Sequence, residues 1–477
     1  MKELEIITGL FSGMVAQRKT SAGGDISFNG NCPGVKQGVV YGRLDKGPWQ
    51  EIGRAEHGTF IANLPDVPAG GPYSIDLQVK SGEQVLPTAE ISDVYMGDVW
   101  IMAGQSNMVG DGLLADGKQA RKGVQCFYMD DTWGKAEEPL HSLQAAVDAV
   151  HYRLQGRSGP AGRRQDIDAA RKKGAGCGIS FANVMNESLK VPIGLIACAH
   201  GGTRLAQWLP GYDGEEGDSL YTAMMRRVRK NGGAVAGVIW YQGESDTDYG
   251  AAEYYRQRMA LLIESLRRDL NNPRLPFIQA QLSCVYYIEN RYKDYLWTFI
   301  REQQRLLTGD IANTATVSTL DLELGDPIHL ATGGLAQVGR RMALTALKCI
   351  NSGDENKSLC GGPSVSGASF KSDEEGDCVE VTLAGNDGPL QTTGRPQGFY
   401  LRGEFGWAPP IYRTVIDNKD NLIRLYFCND NPTNERFFLY YGYGMAPYCN
   451  ITDSEGNGLL GFGPYDLGIK PACNVRL

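Results

Sequence analysis

Hydrophobic and polar positions divide the chain into three stretches of different rhythm. From residue 1 to 92, short alternating runs such as "GGDISFNG", "GVVYGRL", "GTFIANL" and "GPYSIDLQVK" are each punctuated by Gly or Pro. Alternation of period two, interrupted this regularly, predicts half-buried strands and a small N-terminal β-sandwich-like domain. From 93 to 354 continuous apolar runs take over: "VWIMAG", "VPIGLIACA", "AGVIWYQG", "PFIQAQLSC" and "TATVSTLDL". Between them lie segments of helical period: "ISFANVMNESLK", "DSLYTAMMRRVRKNG", "AAEYYRQRMALLIESLRRDL", "DYLWTFIREQQRLLTG" and "GGLAQVGRRMALTALKCI". This alternation predicts an α/β domain, a doubly wound parallel sheet with helices on both faces. In such sheets the site lies outside the carboxyl ends of the strands. From 355 to 477 short strands return ("DCVEVTLAG", "GFYLRG", "NLIRLYFC", "RFFLYYGYG"), giving a C-terminal β module. Residues 110–178 keep neither period and are expected to form a partly ordered insertion near the strand ends. Within them the basic, Gly-rich run from Arg153 to Lys173 is expected to be a solvated loop.

Composition narrows the classes. With 42% hydrophobic and 21% charged residues among 477, the chain is globular and soluble in type. A net charge of -8 argues against nucleic acid, which needs a basic face. No apolar run approaches the roughly 18 residues of a membrane span, so no membrane partner is expected. Glu3 and Glu5 stand where a secretory leader would be apolar. The expected location is the cytoplasm, or outside the cell if a leader has been removed. Eleven cysteines without a CxxC pair fit reduced thiols better than a disulfide framework or a zinc site, and no metal is expected. The sequons at Asn186, Asn356 and Asn450 are read as chance matches. The oligomeric state leaves no mark on the pattern.

Four polar turns stand where strands of the central domain end. "AGQSNM" presents Ser106, either as a turn residue or as a nucleophile at the sheet edge. "CAHGGTRLAQW" offers Gly201 and Gly202, whose bare backbone can approach a ligand. "WYQGESD" carries Gln242 and Glu244, and in "GDPIHLATGG" Asp326 precedes His329 by three residues. A hydrolytic triad needs a nucleophile, a base, an acid that orients the base, and preorganised donors for the oxyanion. These four turns contain all of them. Of the five histidines, His57 lies in the N-terminal stretch and His141 and His151 in the insertion. His200 adjoins Gly201 and could line the site, while His329 stands at a strand end beside an acid.

Other motifs carry less. "GNGLLG", Gly456–Gly461, matches GxGxxG but sits among short strands, so it is read as a turn. Glu244 and Asp246 could be the carboxylates of a glycosidase, although residues two apart need not face one gap. Trp208, Tyr212, Trp240, Tyr249, Tyr286 and Tyr287 lie near the candidate site in sequence. They are candidates for stacking on a sugar or for the core.

"GQSNM", "HGGT", "WYQGES" and "DPIH" together resemble the conserved blocks of the sialate O-acetylesterase-like carbohydrate esterases, of the SGNH hydrolase superfamily. "LFSGMVAQRK", "GPYSIDLQV" and "YYGYGMAPYCNITDSEGNGLLGFGP" resemble that family's terminal β parts, so the likeness covers most of the chain. It implies Ser106 as nucleophile, His329 as base and Asp326 as its partner. The implied oxyanion hole is the N–H of Ser106, an N–H of Gly201 or Gly202, and the Gln242 amide, a glutamine where the wider superfamily has asparagine. Asn107 and Glu244 would orient the turns. The implied reaction removes O-acetyl groups from a carbohydrate, sialate or a plant-polysaccharide fragment, through an acetyl-enzyme and without a cofactor. Arg204 is a candidate for binding a sialate carboxylate. A lipase-type fold is the lesser reading, because G-x-S-x-G is absent. Two further readings are a glycosidase using Glu244 and a carbohydrate-binding protein with a vestigial triad.

Overall fold

One 21-residue strand, Gln84–Gly104, carries both textures that the sequence separates. Its first part runs antiparallel to Gly70–Ser81, as far as the pair Gly70↔Met96. From Asp98 to Met102 it runs parallel to Ile193–Ala197. The change follows the burial pattern. Every residue from Val94 to Gly104 is buried, as expected for a strand covered on both faces, whereas earlier positions are mixed. Residue 92, where the texture changes, therefore lies inside a continuous strand. Gly97 fits at the crossover because a Cβ there would lie 2.0 Å from the Pro192 carbonyl oxygen.

The computed structural model describes residues 4–82, 84–212, 219–286, 292–351, 361–428 and 435–470, in a mixed α/β arrangement with a large central sheet. The expected boundary at 354/355, Asn356 and Tyr287 lie outside these residues. The chain forms two compact units. The first holds residues up to Gly201, Ala206–Ile239 and Glu264–Leu275. Its antiparallel ladders pair Gly23–Asn31 with Thr59–Pro68, and Gln37–Leu44 with both Gln50–Glu56 and Gly70–Ser81. Phe28, Val40, Phe60, Leu64, Leu77 and Val94 contribute to their core. On the parallel side, Ile193–Ala197 also pairs with Val124–Phe127, which lies within the expected insertion. The run "VQCFYM" is short and flanked by charge, so periodicity alone did not mark it. Arg227, fully buried, binds Asp131 and the carbonyls of Phe127 and Tyr128, fixing this strand's end.

The basic run is not wholly a solvated loop. Arg163 is 80% exposed, but Arg164 is 17% exposed. The Arg164 guanidinium lies 3.6 Å from the Tyr128 ring centroid and pairs with Asp130. Packing against an aromatic face outweighs solvation there.

The second unit comprises Gly202–Leu205, Trp240–Ile263 and Pro276 onward. Its wholly buried strands Phe277–Ala280 and Thr314–Val317 pair in parallel. Both are shorter than expected, because side chains take over the bonding beyond them: Thr319 Oγ1 donates to the Gln281 carbonyl, and Ser318 Oγ to that of Leu459. Helices Tyr292–Asp310 and Thr332–Asn351 follow the predicted periods. The long helix expected from "AAEYYRQRMALLIESLRRDL" is broken instead into Tyr249–Ala252 and Tyr255–Asp269. Asp248 caps the first piece, and Tyr255 OH is drawn to the Gln242 carbonyl. Beyond residue 361 come a four-stranded antiparallel sheet, a three-stranded sheet and a strand pair, packed around Val379, Leu401, Leu425, Tyr441 and Phe462. "GNGLLG" leads into the strand Phe462–Ile469, not into a helix. Arg301, fully buried, anchors a loop of this region by donating to the carbonyls of Leu282, Ser283, Gly442 and Gly444.

Candidate active site

Within the first unit, the strand that ends on Gly104 turns abruptly. Gly104 has φ 131°, which favours glycine, and Gln105 is extended (φ -112°, ψ -152°) before the one-turn helix Ser106–Val109. The N–H groups of Met108 and Val109 donate to the Gln105 carbonyl, and that of Gly110 to the Ser106 carbonyl at 2.9 Å. Gln105 and Asn107 are buried on either side, while Ser106 is half-buried. The turn thus hides its neighbours and presents the serine. His200 N–H donates to the Gly104 carbonyl at 2.9 Å, laying the next turn alongside. A Cβ built on Gly201 would lie 3.6 Å from Ser106 Cβ, so this glycine's backbone is in the immediate surroundings of the serine.

His200 is occupied elsewhere. Its Nδ1 lies 2.9 Å from Nδ1 of His151, with the ring planes 8° apart, and both rings are buried. One nitrogen must donate and the other accept, so each ring can be neutral. Burial pushes His200 down to about 4, and burial with the neighbouring His200 and Arg227 holds His151 well below the ordinary histidine range. His141, also buried, is pushed down to about 3 by burial and by Arg227.

In the second unit, Asp326 and His329 form a closed turn. Asp326 Oδ1 accepts the backbone N–H of Ile328 (2.9 Å) and of His329 (2.8 Å). Its Oδ2 lies 2.8 Å from His329 Nδ1. An ionised carboxylate only accepts, so Nδ1 carries the proton and Nε2 is the basic nitrogen of the neutral ring. The side chains of His329 and Asp326 are 22% and 26% exposed. Tyr286, which is 63% exposed, donates its N–H to the Pro327 carbonyl, placing an open ring beside this turn.

Gln242 departs from the expectation of an amide held ready for an oxyanion. It is fully buried, and its Nε2 donates to the Thr203 carbonyl (3.1 Å) and to Asp246 Oδ2 (2.5 Å). Both amide hydrogens therefore have acceptors. Asp246 Oδ2 also accepts Leu205 N–H at 2.8 Å, so one buried carboxylate ties the Gly202–Leu205 turn to the Gln242 turn. Burial raises the Asp246 carboxyl above the usual range, against the lowering effect of these donors. Gly243, at φ 147°, has Ile300, Leu282 and Gln304 all 3.2 Å from where a Cβ would stand. Gly202 has φ 70°. Glu244 is buried in the same turn, and with Asp246 engaged the two do not form an open glycosidase pair. Arg204 is paired with Asp248 at 2.7 Å. Of the aromatics, Trp208 and Trp240 are core, whereas Tyr212 and Tyr249 are exposed. Sequence reasoning missed the bracing role of Asp246. Its signal was an acid four residues after Gln242, on the turn that leaves a buried strand.

The family model "Carbohydrate esterase, sialic acid-specific acetylesterase" matches residues 96–348, which contain all four turns. The chain belongs to that family of hydrolases, as the resemblance of its motifs implied. It is 33% identical over 261 residues to a probable carbohydrate esterase of Arabidopsis thaliana, covering 53% of this chain and 91% of that protein. With the sialate O-acetylesterase of Homo sapiens it shares 28% over 237 residues, 46% of this chain and 44% of that protein. The chain thus matches less than half the length of that relative. A carbohydrate acetylesterase from Xanthomonas citri has the same fold, with a TM-score of 0.69 at 22% identity over 96% of this chain and 99% of that one.

Proposed function

We propose that the chain is a serine esterase that removes O-acetyl groups from carbohydrate through an acetyl-enzyme intermediate. Ser106 Oγ attacks the acetyl carbonyl, and His329 Nε2 takes its proton and returns it to the departing sugar hydroxyl. Water then repeats the sequence to release acetate. Asp326 holds the imidazole in the required tautomer. Backbone N–H groups of Ser106 and of Gly201 or Gly202 receive the oxyanion. Gln242 serves that turn as a brace, since its amide already binds Thr203 and Asp246; a direct role as third donor would require one of these bonds to open. Asn107 and Glu244 act as buried supports of the two turns. The observation that carries the reading is the Asp326–His329 bond, made by a carboxylate already fixed by two backbone N–H groups.

The same reading takes the central sheet as doubly wound, with residues 1–92, 93–354 and 355–477 as three successive domains. The substrate is an acetylated oligosaccharide, sialate or plant-polysaccharide-derived. A screen of acetate release from acetylated xylo- and manno-oligosaccharides and from 9-O-acetyl sialate tests it. The Ser106→Ala variant should lose roughly a millionfold in turnover, as other triad nucleophiles do. Retention of more than about a tenth of the rate would refute the assignment.

A further inference from the structure

The C-terminal region carries a cavity of about 600 Å³ that no part of the esterase mechanism uses. Its walls include Arg395, Gln397, Phe399, Tyr412 and Arg413. That volume is in the range of sites for small ligands, and holds one or two sugar rings.

Two features indicate a built site. The strand Ile411–Asp417 is the edge of the four-stranded sheet, and its register against Leu422–Phe427 slips between Ile411 and Arg413. Tyr412 is the extra residue of this bulge, and it is 56% exposed. A bulge at a sheet edge re-aims a side chain that regular alternation would place elsewhere. Another part of the lining, residues 395–397, belongs to a loop that is clamped by the Asn450 side chain. It donates to the carbonyls of Thr393 (2.8 Å) and Arg395 (2.9 Å) and accepts Gln397 N–H (2.8 Å). The loop is thereby held in place with Arg395 and Gln397 exposed upon it.

The cationic groups differ in commitment. Arg413 pairs with Glu375 at 3.0 Å and lies over the Tyr426 ring. The Arg395 guanidinium has no hydrogen bond or ion pair among the described residues. A guanidinium without a partner among the described residues, in a chain of net charge -8, lines the same cavity as an exposed phenol ring and a carboxamide, a set that matches a pyranose bearing a carboxylate. The ring face stacks on Tyr412, the carboxylate takes the Arg395 fork, and hydroxyls meet Gln397.

We infer that this cavity is a second, non-catalytic binding site for acidic oligosaccharides. It lies outside the residues assigned to acetyl transfer and stands whether or not that assignment does. The test is isothermal titration of the full chain with trigalacturonate and with sialyllactose, which separate the two sources of a sugar carboxylate, and with neutral xylotriose. At least one acidic probe should bind more tightly than xylotriose. Tyr412→Ala and Arg395→Gln should each weaken that binding about tenfold or more. Both variants should hydrolyse p-nitrophenyl acetate at the wild-type rate. Failure of both acidic probes to bind, equal binding of xylotriose, or undiminished binding by either variant would overturn the proposal.

Discussion

Replacing Asp326 by Asn separates the chemical duty of this carboxylate from its structural one. The two oxygens have different partners: Oδ1 accepts the N–H groups of Ile328 and His329, and Oδ2 accepts His329 Nδ1–H. An asparagine with its oxygen in the Oδ1 place keeps both backbone bonds. Its NH₂ then faces Nδ1, so the neutral ring carries its proton on Nε2, the atom that should accept the serine proton. A comparable change in another triad costs about 10⁴ in kcat, equivalent to about 5 kcal/mol of transition-state stabilisation. Stability should barely change. Asp326→Ala, by contrast, loses the backbone bonds too. Hydrogen bonds to a charged acceptor contribute about 1.5–3 kcal/mol each when buried. With 26% of this side chain exposed, solvent screening reduces the pair to roughly 1–2 kcal/mol in total. Acetate release at saturating substrate, together with urea unfolding followed by circular dichroism, measures both quantities. An Asn variant within about tenfold of wild type would refute the tautomer argument. Equal destabilisation by Asn and Ala would refute the division of labour between the two oxygens.

Acid should destabilise the fold before the carboxylates of the unfolded chain titrate. His141, His151 and His200 are held below their ordinary range when folded, so the unfolded chain takes up their protons first as pH falls through about 6.5. From pH 7 to 5.5 this removes about 4 kcal/mol. Glu138, raised to about 7 by burial, gains its proton in the folded state and offsets about 1.5 kcal/mol of the loss. Urea unfolding at each pH should therefore show a steeper loss in Glu138→Gln than in wild type; stability flat across this window would contradict neutral histidines. Arg301→Met should cost about 3 kcal/mol or more, because the buried carbonyls of Leu282, Ser283, Gly442 and Gly444 lose their donor, and an unchanged urea midpoint would disprove this. Gly201→Ala should leave the melting temperature unaltered, since its Cβ meets Ser106 only at van der Waals distance, yet lower kcat by about tenfold or more through the methyl beside Ser106, the proposed nucleophile. Wild-type turnover in that variant would place the reacting carbonyl elsewhere.

The elements that were legible in the sequence are those whose own residues determine them. "IGLIA" is a short apolar run rich in isoleucine, too short for a core helix, and it forms a strand buried at every position. Thr332–Asn351 keeps a helical stripe through its whole length. Val124–Phe127 was not legible, because its place beside Ile193–Ala197 depends on Arg227, a residue 100 positions away that closes its carbonyl end. The same holds for Arg164: its charge suggested solvent, and the Tyr128 ring and Asp130, both from another segment, explain its burial. Long-range partners are what periodicity cannot register.

At the candidate site the limit falls within single side chains. Spacing could pair Asp326 with His329, because a three-residue turn leaves few other geometries, and the bond is there. Spacing could also pick out Gln242 as a polar residue at the end of a buried strand. It could not say which amide hydrogens remain available, since that depends on how the fold brings the Thr203 carbonyl and the Asp246 carboxylate to the Gln242 side chain. A buried carboxylate must gather donors, and Asp246 gathers the Gln242 amide and Leu205 N–H at one oxygen. The Gly202–Leu205 turn is consequently held by a buried carboxylate outside the residues proposed for acetyl transfer. Loss of activity on replacing Gln242 would therefore not by itself identify an oxyanion donor. Asp246→Asn makes the distinction: it leaves Gln242 in place but weakens the brace. If the brace is what matters, activity should fall together with stability in both variants; if the amide is a donor, Asp246→Asn should lose stability with kcat little changed, whereas Gln242→Ala should lower kcat well beyond what its lost hydrogen bonds cost in stability.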